Sequence, residues 1–179
     1  SPCCWCVINR RRHRTSIRNK MQCLSVKQPA ASLLVFGGKN IEIRSRALVR
    51  PDKWQLPFWV LVHASQQRIK GPVTKNAVRQ AANDAEPKEY YPTGVIIGAI
   101  RISAIVPLAD IDPDNEWATG PICHVIDQSF ELPEPFPYKG RLGLYNVDPV
   151  DLGYENLEAI GSQFTGCENP FGNFSRKLV

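Results

Sequence analysis

Between Gly94 and Ala109 the chain reads GVIIGAIRISAIVPLA, its longest apolar run, cut only by Arg101 and Ser103. The run is too short and too interrupted for the roughly 18 apolar residues that a membrane-spanning helix needs. It reads instead as a long buried strand, centred on 94–106. Shorter strand signals flank it: CLSV (23–26), KNIEIRS (39–45), FWVLVHAS (58–65), CHVIDQSFEL (123–132) and LGLYNV (142–147). Helix signals are few. KQPAASLLVFGG places Pro29 where a helix tolerates a missing N–H, and Leu33, Leu34 and Phe36 form an apolar face. TKNAVRQAAND starts at a capping Thr74, and GYENLEAIGSQF (153–164) forms a third short helix. Loops are expected at 46–57, at EPKEYYPTG, across the acidic 110–121 and through the proline-rich PEPFPYKGR. Five to six strands with two or three peripheral short helices, in mixed order, predict an α+β, mainly β chain folded as a small barrel. A doubly wound sheet would require regular alternation, which is missing.

The first twenty residues, SPCCWCVINRRRHRTSIRNK, have a composition of their own. They hold six Lys/Arg, no acidic residue and three of the six cysteines. Met21, the single methionine, stands where composition turns ordinary. The expectation is that translation naturally begins there, with 1–20 a basic disordered tail or upstream read-through. Removing those residues from the +5 total leaves 16 basic against 17 acidic side chains, so overall charge is poor support for nucleic-acid binding. Distribution is better support, because residues 21–101 hold 12 basic and 5 acidic residues and 102–175 hold 2 and 12. An uneven body can carry a local positive face.

Cysteine spacing predicts no metal and no cofactor. Cys3 and Cys6 make one C-x-x-C, with His13 beyond, but a zinc site needs a partner pair. Cys23, Cys123 and Cys167 are scattered and odd in number, which suits reduced thiols in the cytoplasm. No G-x-G-x-x-G, Walker loop or G-x-S-x-G occurs in the chain.

The segment GGKNIEIR (37–44) carries the chemistry. Gly37 and Gly38 can stop the preceding helix in a left-handed conformation. Asn40, Glu42 and Arg44 then alternate with Ile41 and Ile43, so Glu42 and Arg44 share one face of a strand, about 7 Å apart along it. Such cations can hold a phosphate or carbonyl oxygen, Arg44 bidentately. The competing reading is a solvated ion pair that only closes the barrel rim.

MQCLSVKQPAASLLVFGGKNIEIRS, LVHAS, GVIIGAI and GRLGLYNV, taken together, resemble the ASCH domain over about residues 21–147. Gly37, Lys39, Glu42 and Arg44 satisfy its G-x-K-x-x-E-x-R element in full. The resemblance implies a PUA-like barrel, a superfamily whose members commonly bind RNA, with a cleft beside the first helix. It leaves 148–179 as a C-terminal extension with a short helix and an irregular tail. Two positions depart from the family. A tryptophan often follows the Gln-Pro of KQP, and here the residue is Ala30. Some small bacterial relatives hydrolyse the acetyl amide of N4-acetylcytidine with a lysine and a threonine. Lys39 matches that lysine, whereas the threonine position is Glu42.

The expected function is RNA or modified-nucleoside binding in a cleft built by Gln28, Lys39, Glu42, Arg44, Ser65 and Trp117, with no membrane partner. The alternatives are a hydrolase, either acetylcytidine amidohydrolase-like or a ribonuclease, and a protein-interaction module of a transcription or translation cofactor. In a hydrolase Lys39, Glu42 and His63 would be the catalytic candidates. His63, ending an apolar strand, is otherwise a hydrogen-bonded core histidine, and His124 is read as structural. Trp117, a large aromatic in a polar turn, would lid the cleft or simply pack.

Overall fold

The computed structural model describes residues 20–36, 38–50, 55–68 and 91–163. Residues 1–19 with their C-x-x-C and arginine run, the expected helix at 74–84, Gly37, Cys167 and the irregular C-terminal stretch lie outside them. Among the described residues six strands form one mixed sheet: β1 (Met21–Gln28), β2 (Ile41–Arg44), β3 (Phe58–Arg68), β4 (Val95–Pro107), β5 (Ile122–Pro137) and β6 (Leu144–Val147). Their order is β2-β5-β4-β3-β1-β6. Only β1 and β3 pair in parallel, and every other pairing is antiparallel.

The central strands are buried on both faces, which is why they read as unbroken apolar runs rather than alternations. On one side Val60 and Val62 of β3 join Leu24, Val26, Ile100 and Ile102 under helix α1 (Ala30–Phe36), through Ala31, Leu34 and Val35. On the other, Leu61 joins Cys23, Ile96 and Ala99 under Leu152 and Ile160, the latter from helix α2 (Tyr154–Gln163). The C-terminal helix expected from 153–164 is therefore present and contributes to the second layer. Asn156 fastens it to β5, donating to the Glu134 carbonyl (3.1 Å) and accepting from the Glu134 N–H (3.3 Å).

Local chemistry explains the helix α1 boundaries. Gln28, still in β1, turns its side-chain oxygen to the Ser32 N–H (3.1 Å), while the Pro29 carbonyl takes the Leu33 N–H (3.1 Å). At the other end Gly38 adopts φ +75°, and the Lys39 N–H folds back to the Leu33 carbonyl (3.0 Å). That reversal delivers Lys39 directly into β2.

The structure extends three of the expected strands, β1, β3 and most of all β5, and leaves the barrel open. β5 continues through the proline-rich segment to Pro137, because the β4 pairing skips from Glu131 opposite Gly98 to Phe136 opposite Ile96. Pro133 and Pro135 fall in that irregularity, where no ladder N–H is required. The edge strands β2 and β6, four residues each, do not pair with one another. β6 accompanies β1 only from Met21 to Leu24. Beyond Leu24 the Ser25 carbonyl accepts from Arg44 Nη2 (3.0 Å), so a side chain bridges β2 to β1.

Candidate functional site

A cleft of about 1620 Å³ lies along that opening. Its floor is the motif strand. β2 pairs with β5, setting Glu42 opposite His124. His124 is fully buried and accepts the Leu48 N–H at Nε2 (3.0 Å), so Nδ1 is the donor to the Glu42 carbonyl (3.2 Å). This histidine is structural: it holds the backbone of the motif.

Glu42, 6% exposed, lies between the two motif cations. Oε2 is 3.5 Å from Lys39 Nζ, and Oε1 is 3.0 Å from Arg44 Nε. The Arg44 contact is an off-axis ion pair, since the Nε–H makes no linear hydrogen bond. Lys39 Nζ also bonds the Ile41 carbonyl, leaving one of its three N–H bonds without a described partner. Burial pushes the Lys39 ammonium below the usual lysine range, against the opposing pull of Glu42. The same-face geometry expected for Glu42 and Arg44 is thus realised, and the pair is mostly withdrawn from solvent.

His63 and Ser25 stand in one wall, side by side across the parallel β1–β3 pairing. Ser65 lies further along β3, its hydroxyl bonded to the Gln67 carbonyl (3.1 Å). The acidic turn bends over the cleft with Glu116, Trp117 and Thr119 in the lining. Asn115 holds it there, accepting the Trp117 N–H (2.9 Å) and donating to Asn40 Oδ1 (3.2 Å). The opposite lip is the β5–β6 loop, with Lys139, Gly140, Arg141 and the 99%-exposed Leu142. Tyr138 anchors that lip through its N–H to the Gly94 carbonyl (3.0 Å).

Six of the seven residues singled out from the sequence (Lys39, Glu42, Arg44, His63, Ser65 and Trp117) line this cleft. Gln28 does not. Its amide is fully buried and engaged by Ser32 and by the Pro92 carbonyl, so it serves the helix start. Sequence reasoning missed Ser25, Lys27, Lys139 and Arg141. A KGR triplet beside a strand was the available signal for the last two, whereas Ser25 carried none. Among the described residues no cluster of His, Cys, Asp and Glu suits a metal ion, and no helix is long and apolar enough to cross a membrane.

The described residues form a mainly β unit, with a mixed six-stranded sheet and few short helices. Among solved structures the chain is similar to the crystal structure of ASCH from Zymomonas mobilis, at 13% identity and TM-score 0.44, covering 74% of this chain and 91% of that one. It is also similar to two mutants of that protein, a tyrosine-to-phenylalanine and a serine-to-alanine form. Their identities are 14% and 11%, both with TM-score 0.43, over 74% and 75% of this chain and 93% and 92% of theirs. No protein-family model matches the sequence, and no curated protein matches it at a significant level.

Proposed function

We propose that the cleft binds single-stranded RNA or a modified nucleotide, with the phosphate held by cations and the base set against Trp117. The observation that carries this reading is the charge of the lining. Among the described residues, Lys27, Lys39, Arg44, Lys139 and Arg141 face the cleft against two carboxylates, Glu42 and Glu116. Glu42 already engages Lys39 and Arg44, so the exposed Lys27, Lys139 and Arg141 supply the surplus positive charge at the rim. A rim of exposed cations around an aromatic is what a sequence-tolerant single-strand site uses. The acetylcytidine-hydrolysing relatives have a threonine where this chain has Glu42. A carboxylate clasped on both oxygens orients its cations and is poorly placed to attack a carbonyl. Reduced surroundings such as the cytoplasm suit Cys23 and Cys123, both free and buried.

The test is fluorescence anisotropy of the full chain with a labelled single-stranded RNA of roughly ten nucleotides. Lys139→Ala combined with Arg141→Ala should weaken binding and flatten the plot of log affinity against log salt by about 1.4, two phosphate contacts' worth. Trp117→Ala should cost about 1–3 kcal/mol at any salt concentration. Affinity untouched by either change would place binding outside the cleft and end this reading. The basic residues 1–20 are common to all these proteins, so their contribution cancels.

A further inference from the structure

The polar groups in the cleft wall form a chain with one direction. A carbonyl oxygen only accepts, so the 2.9 Å contact between His63 Nε2 and the Tyr138 carbonyl requires the proton on Nε2. Nδ1 then carries the lone pair. Ser25 Oγ lies 3.1 Å away and must be its donor. Ser25 Oγ is also 3.4 Å from the Tyr145 hydroxyl, which itself accepts from Cys23 Sγ (3.3 Å). Burial holds the Cys23 thiol up at about 12 and raises Tyr145 well above the ordinary phenol, so both keep their protons. Burial also depresses His63, which keeps it neutral at pH 7. Every hydrogen is accounted for, from Cys23 through Tyr145, Ser25 and His63 to the Tyr138 carbonyl.

A core histidine with both nitrogens satisfied needs no function. Two features set this one apart. Its serine partner is half-buried and lines the cleft with it. The lip is also packed down on the pair at Gly140, where a Cβ would fall 2.3 Å from His63 Cε1 and 2.8 Å from Ser25 Oγ. The loop presses on the imidazole and leaves it one orientation, as the third member of a catalytic triad does.

We propose that Ser25 is a nucleophile activated by His63, with the Tyr138 carbonyl as the orienting group, and that it accepts acyl groups from carboxylic esters. Ser25 Oγ bonds to the ester carbonyl carbon while its proton passes to His63 Nδ1. The tetrahedral adduct collapses with cleavage of the carbon–oxygen bond to the alcohol, which leaves with the proton from Nδ1. Water, deprotonated by the same nitrogen, then releases the acid and restores Ser25. Negative charge building on the carbonyl oxygen develops close to Arg44, whose Nη2 is bonded to Ser25's own carbonyl. That the alcohol carries a phosphate rests on the nucleotide-binding reading, because the same lip supplies the cations; the nucleophile itself does not.

The experiment separates the two claims by using probes without charge. The full chain is mixed with p-nitrophenyl acetate, and an initial burst of about one equivalent of p-nitrophenol is expected. A fluorophosphonate should form an adduct that peptide mass spectrometry places on Ser25. Ser25→Ala removes the burst and the adduct with little change in packing, and Ser25→Cys should restore the burst. No burst and no adduct on Ser25 in the unaltered protein overturns the proposal, whatever RNA does in the anisotropy assay. An adduct on Ser25 sustains it even if no RNA binds. If both readings hold, Lys139→Ala with Arg141→Ala raises KM for a nucleotide ester more than it does for p-nitrophenyl acetate.

Discussion

Replacing Glu42 by glutamine tests whether the motif is a buried floor or a solvated rim. The amide has the same shape, so packing is kept and only the charge is lost. The carboxylate it replaces is 6% exposed and reaches both cations, Arg44 at 3.0 Å and Lys39 at 3.5 Å. Breaking one partner of a fully buried pair costs about 3–5 kcal/mol, because the other charge is stranded. Here the cost is less, since the Arg44 side chain is 27% exposed and each cation retains a backbone carbonyl, Ser25 for Arg44 and Ile41 for Lys39. A loss of about 2–3 kcal/mol is expected, and in a chain of this length that lowers Tm by about 4–12 °C. Calorimetry and urea unfolding should agree, with the urea midpoint falling and the slope unchanged. The deficit should also narrow in alkali. Lys39 loses its proton in the folded protein before it does so unfolded, where the usual value is 10.5. In that window the unfolded chain binds more protons, so stability rises with pH, and more so once Glu42 no longer holds the ammonium charged. A Tm shift under about 2 °C would match a solvated surface pair worth 0–1 kcal/mol and would refute the buried floor.

Acid should destabilise the protein through its two buried histidines. His63 and His124 are both depressed by burial from the ordinary 6.5, so below that value the unfolded chain takes up protons that the folded chain refuses. Stability is fully present above pH 6.5 and lost as pH falls toward the folded values, which a series of thermal melts between neutrality and mild acid will follow. Asn156→Ala should cost about 1–3 kcal/mol by leaving the Glu134 backbone and the Leu152 carbonyl without their partner. Amide exchange should quicken first around Glu134, and an unchanged urea midpoint would mean that α2 is held by Leu152 and Ile160 alone.

Periodicity and punctuation made most of the secondary structure legible. The run beginning at Gly94 became β4, FWVLVHAS became the start of β3, and Gly38 ended α1 through its left-handed backbone. These are local effects, decided within a few residues by which conformations a side chain tolerates. The proline-rich stretch after Leu132 failed because proline argues against a regular ladder, and the β4–β5 pairing has an irregularity that admits it. Gln28 misled for a related reason. A polar residue beside a motif looks like a ligand contact, and only the neighbouring Ser32 and the distant Pro92 carbonyl show that its amide is occupied.

The chain alone determined which side chains could share a strand face, and so that Glu42 and Arg44 would meet, because a pleat repeats every two residues whatever surrounds it. It also determined that the middle strands must be covered on both sides. The tertiary structure decided what stands opposite what. Ser25 faces His63 only because β1 lies parallel to β3, 38 residues on, and the tautomer of His63 follows from a carbonyl 75 residues away. Lys139 and Arg141 reach the same cleft as Lys39 only because the edges of the sheet stay apart. Contacts of that kind depend on register and closure, which are set by the packing of the whole core and leave no trace in local sequence.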